Sequence, residues 1–304
     1  MLKKAGDRAA WLLLRAAWAL LRSAGPKASR RALEGIGGAL MILDRRHRAV
    51  VEDNLAIAFP QMDRVVRDSV VTASFRNWGR IGAEAVDCDA LIGAAREDPA
   101  WKSVAAAVAE GLAQGRGLLL LTAHIGNFEL LARIFGSTVA PVAVFHRSLG
   151  IVEIDRFLIE ERRRCGVATL GRGAAVRDAL RILGAGGCVA VPLDQNQRQG
   201  RGIFVDVLGQ QACTSTMLAR LSMTSSAPVL PVFAIWNDGG TSPFIGELIG
   251  APPRQPPGTR DLVLRSLTER YAAEIDRVVR RFPHQWNWAH RRWKTRPPGV
   301  EPAL

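Results

Sequence analysis

The stretch Gly117-Leu-Leu-Leu-Leu-Thr-Ala-His124-Ile-Gly126-Asn127-Phe-Glu129-Leu130 decides how this chain folds. Residues 118–123 are uncharged and almost all apolar, which predicts a strand buried on both faces of a parallel sheet. Gly126 and Asn127 are turn formers, and Glu129 opens a helical pattern. This strand, turn and helix would set His124 at the strand's carboxyl end, the edge where open α/β sheets hold their reactive crevice. Imidazole is well suited to take a proton near neutral pH when a carboxylate fixes its tautomer. Glu129 would lie about 140° away on a continuous helix, so the two could meet only with His124 in the turn and Glu129 in the helix's first turn. Two readings stand on these residues alone: a catalytic His–Glu couple, or a strand-end histidine bonded to a backbone carbonyl.

Working outward, strands are expected at 139–145, 167–170 and 188–193, with helices at 151–164 and 174–183 between them. Such alternation predicts a mainly parallel sheet flanked by helices. Strands at 229–236 and 244–248 follow, with Asn237-Asp-Gly-Gly240 as a hairpin turn. The proline-rich stretch 252–257 reads as a stiff connector, and 259–282 as a long amphipathic helix. Upstream, helices are expected at 30–44, 45–58, 61–87 and 104–114. The expected organisation is an interface helix at 1–24, a helical part at 25–100, and an α/β core at 101–304 that forms one domain with 25–100.

The chain has 304 residues and a formal charge of +13, which calls for an acidic partner such as anionic lipid, nucleic acid or an acidic protein. Cys88, Cys165, Cys188 and Cys213 are too far apart for C-x2-C metal spacing and suggest reduced thiols. Residues 9–21 are apolar except for Arg15, and fall short of the ~20 needed to span a bilayer. Lys4, Arg8, Arg15 and Arg22 would share one stripe of a helix, as in a segment lying in a membrane interface. A signal peptide is disfavoured by Arg15 and Arg22; a helix that merely caps the core is the plainer alternative.

Ala123-His-Ile-Gly-Asn-Phe-Glu-Leu130 resembles the H-x4-E/D block of the glycerolipid acyltransferase superfamily, and more narrowly the form found in the lipid A late acyltransferases. That family of lauroyl and myristoyl transferases includes the phosphatidylinositol mannoside acyltransferases. Asn54-Leu-Ala-Ile-Ala-Phe-Pro60, Phe75-Arg-Asn-Trp-Gly-Arg80, Val191-Pro-Leu-Asp194-Gln, Phe204-Val-Asp-Val-Leu-Gly209, Ala227-Pro-Val-Leu-Pro231 and the tail from Gln285 to Pro297 are similar to its other blocks, in order. The resemblance implies an O-acyltransferase with a glycerolipid-acyltransferase-like α/β fold. It would move an acyl chain from an acyl carrier protein or coenzyme A thioester to a hydroxyl of a lipid A precursor or related glycolipid. His124 would be the base, held by Glu129.

The resemblance also implies a functional aspartate, which is Asp194, and an arginine among Arg162, Arg163 and Arg164, of which Arg164 is the choice. Asn127, Arg147, Arg163, Gln195, Arg291 and Arg292 are candidates for holding substrate. No cofactor and no metal are expected, and a monomer at the cytoplasmic face of a bacterial inner membrane is. The tail 286–294 interleaves tryptophan with basic residues, a mixture that suits a membrane interface and, less specifically, single-stranded nucleic acid. Nothing else resembles a nucleic-acid module, so no nucleic-acid partner is expected. Gly171 and Gly173 after a short strand mimic a dinucleotide turn, but Val176 stands where that motif needs a small residue. A membrane-binding module without chemistry is the rival from another class.

Overall fold

The apolar run 118–122 forms the middle of the sheet in the computed structural model, which describes residues 2–148, 150–171, 173–238, 240–253, 256 and 258–299, with residues 2–10 described by backbone only. Six helices come first: α1 (Leu2–Ala24), α2 (Pro26–Leu43), α3 (Arg45–Ala58), α4 (Arg64–Val86), α5 (Cys88–Glu97) and α6 (Pro99–Leu112). The alternating part is β1 (Leu118–Thr122), α7 (Phe128–Thr138), β2 (Val142–Phe145), α8 (Val152–Arg164), β3 (Val167–Leu170), α9 (Ala175–Gly184) and β4 (Cys188–Pro192). A hairpin of β5 (Ile203–Val207) and β6 (Gln210–Thr214) precedes α10 (Met217–Ser225), β7 (Val229–Asn237), β8 (Gly240–Ile245) and α11 (Arg260–Arg281).

The six-stranded sheet runs β3-β2-β4-β1-β7-β8, all parallel except β8, which is antiparallel to β7. Both faces are covered, as a parallel sheet requires. Leu119 and Leu121 of β1 join the core that reaches α9 and α11, while Leu118 and Leu120 join the one beneath α6 and α7. All four are at most 4% exposed, and burying each side chain contributes about 1.5–3 kcal/mol. Register fixes the reactive edge: Thr122 pairs with Pro192, so the residues two further along each strand, His124 and Asp194, emerge side by side.

Five departures from expectation stand out. The 61–87 reading stops at Val86, and a separate α5 follows; α10 was not expected. The strand after β7 begins at Gly240 rather than 244 because the connecting loop is tighter, with Asn237 pairing Gly240. The β5–β6 hairpin escaped sequence reading because its two-residue turn is Leu208-Gly209, both at positive φ (55° and 87°), where Asn-Gly is the usual signal. Leu208 tolerates this because its side chain is buried and its amide donates to Asp276 at 2.6 Å. Arg172, Gly239, Arg254, Gln255 and Pro257, which fall in the expected turns and connector, lie outside the described residues.

The fifth departure is in the tail. Trp286, Trp288 and Trp293 are at most 3% exposed and pack edge to face at 4.6 and 6.3 Å, so they are core rather than membrane-facing. The Asn54 amide donates to the carbonyls of Trp288 and His290 at 2.7 Å each, tying α3 to this tail. No helix among the described residues is long and apolar enough to cross a membrane. On α1, Trp11 and Trp18 pack on Phe157 of α8 at 5.4 and 5.6 Å. Leu13 and Leu20 face away and are 72% and 70% exposed. The side chains of Lys4 and Arg8, half of the expected basic stripe, lie outside the described residues.

Candidate active site

Past β1 the chain cannot continue as strand, because Gly126 turns at positive φ (54°) against the backbone of β7. A Cβ there would collide with the Ala234 carbonyl oxygen. The Gly126 amide donates to the Gln285 carbonyl, and the Asn287 amide donates to that of His124, so the turn is stitched to the tail on both sides. Asn127 then caps α7, accepting from the Leu130 amide at 2.9 Å. Its amide donates to Glu84, a buried carboxylate that also accepts from the Trp236 indole and from Arg80. Asn127, expected as a substrate contact, is therefore a helix cap fixed from beneath. Glu84, which sequence reading missed, holds it.

His124 Nδ1 lies 2.8 Å from Asp194 Oδ1, and the His124 amide donates to Asp194 Oδ2 at 2.8 Å. The indole of Trp286 donates to the same Oδ2 at 2.9 Å. A carboxylate can only accept, so the ring proton sits on Nδ1 and Nε2 carries the lone pair. Burial alone would push the imidazole pKa down, but the Asp194 charge and hydrogen bond outweigh it and hold it above the ordinary histidine value. Burial works in the opposite sense on Asp194, and there too the His124 and Trp286 contacts win, keeping the carboxyl well below its usual range. Gln195, exposed at the rim, places its amide nitrogen 3.3 Å from Nε2.

Glu129 does not hold His124. Its carboxylate is gripped by Arg162 through Nε (2.9 Å) and Nη2 (2.7 Å), with Arg133 at 3.3 Å. Burial would raise its pKa, yet the two guanidinium groups lower it. Arg164, the arginine expected at the site, lies away from this group in the structure. Arg164 is 54% exposed and pairs with Glu161 and Asp89, and Arg163 pairs with Glu160 outside the site. Helix phase explains the switch, since Ile154, Leu158 and Arg162 recur every four residues on the inward side of α8. Beyond Arg162 stands His146, with Nδ1 3.3 Å from the guanidinium and Nε2 3.3 Å from Asp155.

Arg292, expected as a substrate contact, is 2% exposed and gives its guanidinium to the Cys213 carbonyl and Thr214 hydroxyl, clamping β6. Arg147 and Arg291 are exposed. His124, Glu129 and Arg162 share the mouth of a pocket that runs down between α7 and the sheet, lined by Leu120, Leu131, Phe135, Val142, Val144 and Val232. It is apolar in depth and charged at its opening. Among the described residues, no group of three or more His, Cys, Asp and Glu side chains is placed to hold a metal ion.

This geometry can be set beside known proteins. The sequence profile described as bacterial lipid A biosynthesis acyltransferase matches residues 3–295. The chain is 29% identical to the lipid A biosynthesis lauroyltransferase of Escherichia coli K12, over 88% of this chain and 85% of that one. Identity to the palmitoleoyltransferase of the same organism is 25%, covering 84% and 81%. For its myristoyltransferase the figures are 23%, 84% and 76%.

Proposed function

The chain belongs to the bacterial lipid A biosynthesis acyltransferase family, and is thus an O-acyltransferase; from that premise we propose that it moves a fatty acyl chain from an acyl carrier protein or coenzyme A thioester to a hydroxyl of a lipid A precursor. The observation that carries the reading is the His124–Asp194 couple beside an apolar pocket that His124 helps to line. In this scheme the acyl chain fills the pocket and the thioester carbonyl stops beside His124. Nε2 takes the proton of the acceptor hydroxyl as its oxygen attacks the carbonyl carbon. The C–S bond then breaks, and the imidazolium returns the proton to the leaving thiolate. Asp194 orients the ring and offsets its transient charge. Glu129 acts on Arg162, holding a cation where the carbonyl oxygen gains charge.

The test pairs purified protein with each thioester and a lipid A precursor, read by mass spectrometry. One added acyl group is expected from at least one donor. A protein that binds anionic vesicles yet transfers from neither thioester would be the non-catalytic binding module instead.

The reading also places the enzyme peripherally on the cytoplasmic face of the inner membrane. Leu13 and Leu20 project from α1 on the side opposite its contact with α8, together with Leu12 (59% exposed). Each leucine that enters lipid adds about 1.5–3 kcal/mol, which salt does not screen. Wild-type protein is therefore expected to sediment with membranes and to be released only partly by high salt. The double substitution Leu13→Glu and Leu20→Glu should move most of it to the supernatant. Unchanged sedimentation would shift the anchor to α2, where Ile36 and Leu43 are 55% and 77% exposed.

A further inference from the structure

The apolar pocket accounts for one substrate, and a second must reach His124 by another route. We propose that the cavity enclosed by α2, α3, α4 and the tryptophan tail is the subsite for the sugar headgroup of the acceptor; this rests on the acyltransferase reading above.

The cavity begins one ring away from the base. Phe128 packs edge-on to His124 with centroids 4.7 Å apart, and its other side meets Trp78, a wall of the cavity, at 6.4 Å. Asn287 and His290 form the inner wall. The Asn287 amide nitrogen of the backbone is bonded to the His124 carbonyl, and His290 Nε2 accepts from the Asn196 amide, two residues beyond Asp194. A group seated there lies next to the site without entering the acyl pocket.

The lining suits a pyranose. Phe75 and Trp78 supply aromatic surface, and Trp78 is 45% exposed with nothing covering that face among the described residues. Asn287 Oδ1 is buried and has no hydrogen-bond partner among the described residues, so it lacks a donor such as a hydroxyl or amide N–H. Across the cavity Asp44 caps α3 and holds His47 Nδ1 at 2.6 Å, which leaves His47 Nε2 for a ligand. Aromatic surface with a few fixed polar groups is how small polar rings are oriented.

The outer rim tells which kind of sugar. Leu40, 48% exposed, lies at the edge, and the exposed Ile36 and Leu43 stand about one turn to either side of it on α2. Arg45 and Arg46, both exposed, flank the rim at the start of α3. Sugar in the cavity, acyl chains along α2 and phosphate toward the arginines describe an anionic glycolipid entering from a membrane surface.

Steady-state kinetics of Trp78→Ala, His47→Ala and Asn287→Leu would test this against the wild type. The acceptor KM should rise about tenfold for each lost contact, while the donor KM and the pH profile stay as in the wild type. Trp78→Phe should recover most of the loss. A lysophospholipid acceptor, which has phosphate and acyl chain but no sugar, should be insensitive to Trp78→Ala and His47→Ala. Acceptor KM values within twofold of wild type in all three alanine and leucine variants would overturn the subsite, as would an equal rise in donor KM. Trp78 and His47 are surface positions, so an unfolded Asn287→Leu still leaves two decisive variants. Absence of transfer by the wild type would count against the function itself, not the subsite.

Discussion

Asp194→Asn is expected to cost as much turnover as removal of the imidazole, although it changes one atom and leaves the fold in place. The reason lies in which donors face that carboxylate. Oδ2 accepts from both the His124 backbone amide and the Trp286 indole. In an asparagine the carbonyl oxygen must take that position, because an NH2 there would confront two donors. The NH2 is then turned toward Nδ1 of His124, which must accept, and the ring proton moves to Nε2. The nitrogen that should take the substrate proton is already protonated. Where a positioning carboxylate enforces a tautomer in this way, its amide replacement costs on the order of 10⁴-fold in kcat. Folding should be little affected, since both donors to Oδ2 keep an acceptor. Turnover of Asp194→Asn within tenfold of wild type, in a protein with unchanged circular dichroism, would end this assignment.

His124→Ala is expected to lower kcat by about 10²–10⁴-fold, the range for a lost general base, with donor and acceptor KM nearly unchanged. The pH profile adds a sign. Asp194 holds the imidazole pKa above its ordinary value against burial, so the wild-type rate should rise with pH through a midpoint above ~6.5. The group is inactive when protonated, and a raised pKa therefore moves the rising limb to higher pH. In Asp194→Asn burial is unopposed, so the limb should move below ~6.5 while the plateau collapses. Glu129→Gln separates the two carboxylates. Glu129 is bonded to Arg162 and Arg133 rather than to the ring, so it should lower the plateau and leave the limb in place. A limb that shifts in Glu129→Gln but not in Asp194→Asn would restore Glu129 as the residue that orients His124.

The sheet and its reactive edge were legible because buried apolar runs ending in a polar residue have few alternatives. Two such runs, 118–123 and 188–193, put His124 and Asp194 at strand ends, and parallel pairing did the rest. What could not be read was the direction of side chains. Five residues of spacing say that Glu129 lies near His124, but the guanidinium of Arg162, thirty-three positions away, decides where its carboxylate points. The arginine itself could have been chosen by helix phase, since Arg162 follows Ile154 and Leu158 at intervals of four. The tryptophan tail misled because indoles beside basic residues suit a membrane interface and a buried core equally well. Only the Asp194 carboxylate and the Pro283 carbonyl, which satisfy two of those indole N–H groups, distinguish the cases.

The pairing of β1 with β4 has a consequence for how such enzymes diversify. His124 and Asp194 are seventy positions apart in the chain, yet their separation is set by a hydrogen-bonded ladder and not by the segment between them. That segment, α7 through β4, contributes much of the wall of the apolar pocket. Loops within it could grow, shrink or drift in sequence without moving the base relative to its carboxylate, provided the two strands keep their register. On the proposed function, chain-length preference can then be varied at little risk to the chemistry. A single slip of that ladder would separate the pair outright, so selection should tolerate variation in the crossover and punish it in the two short strands.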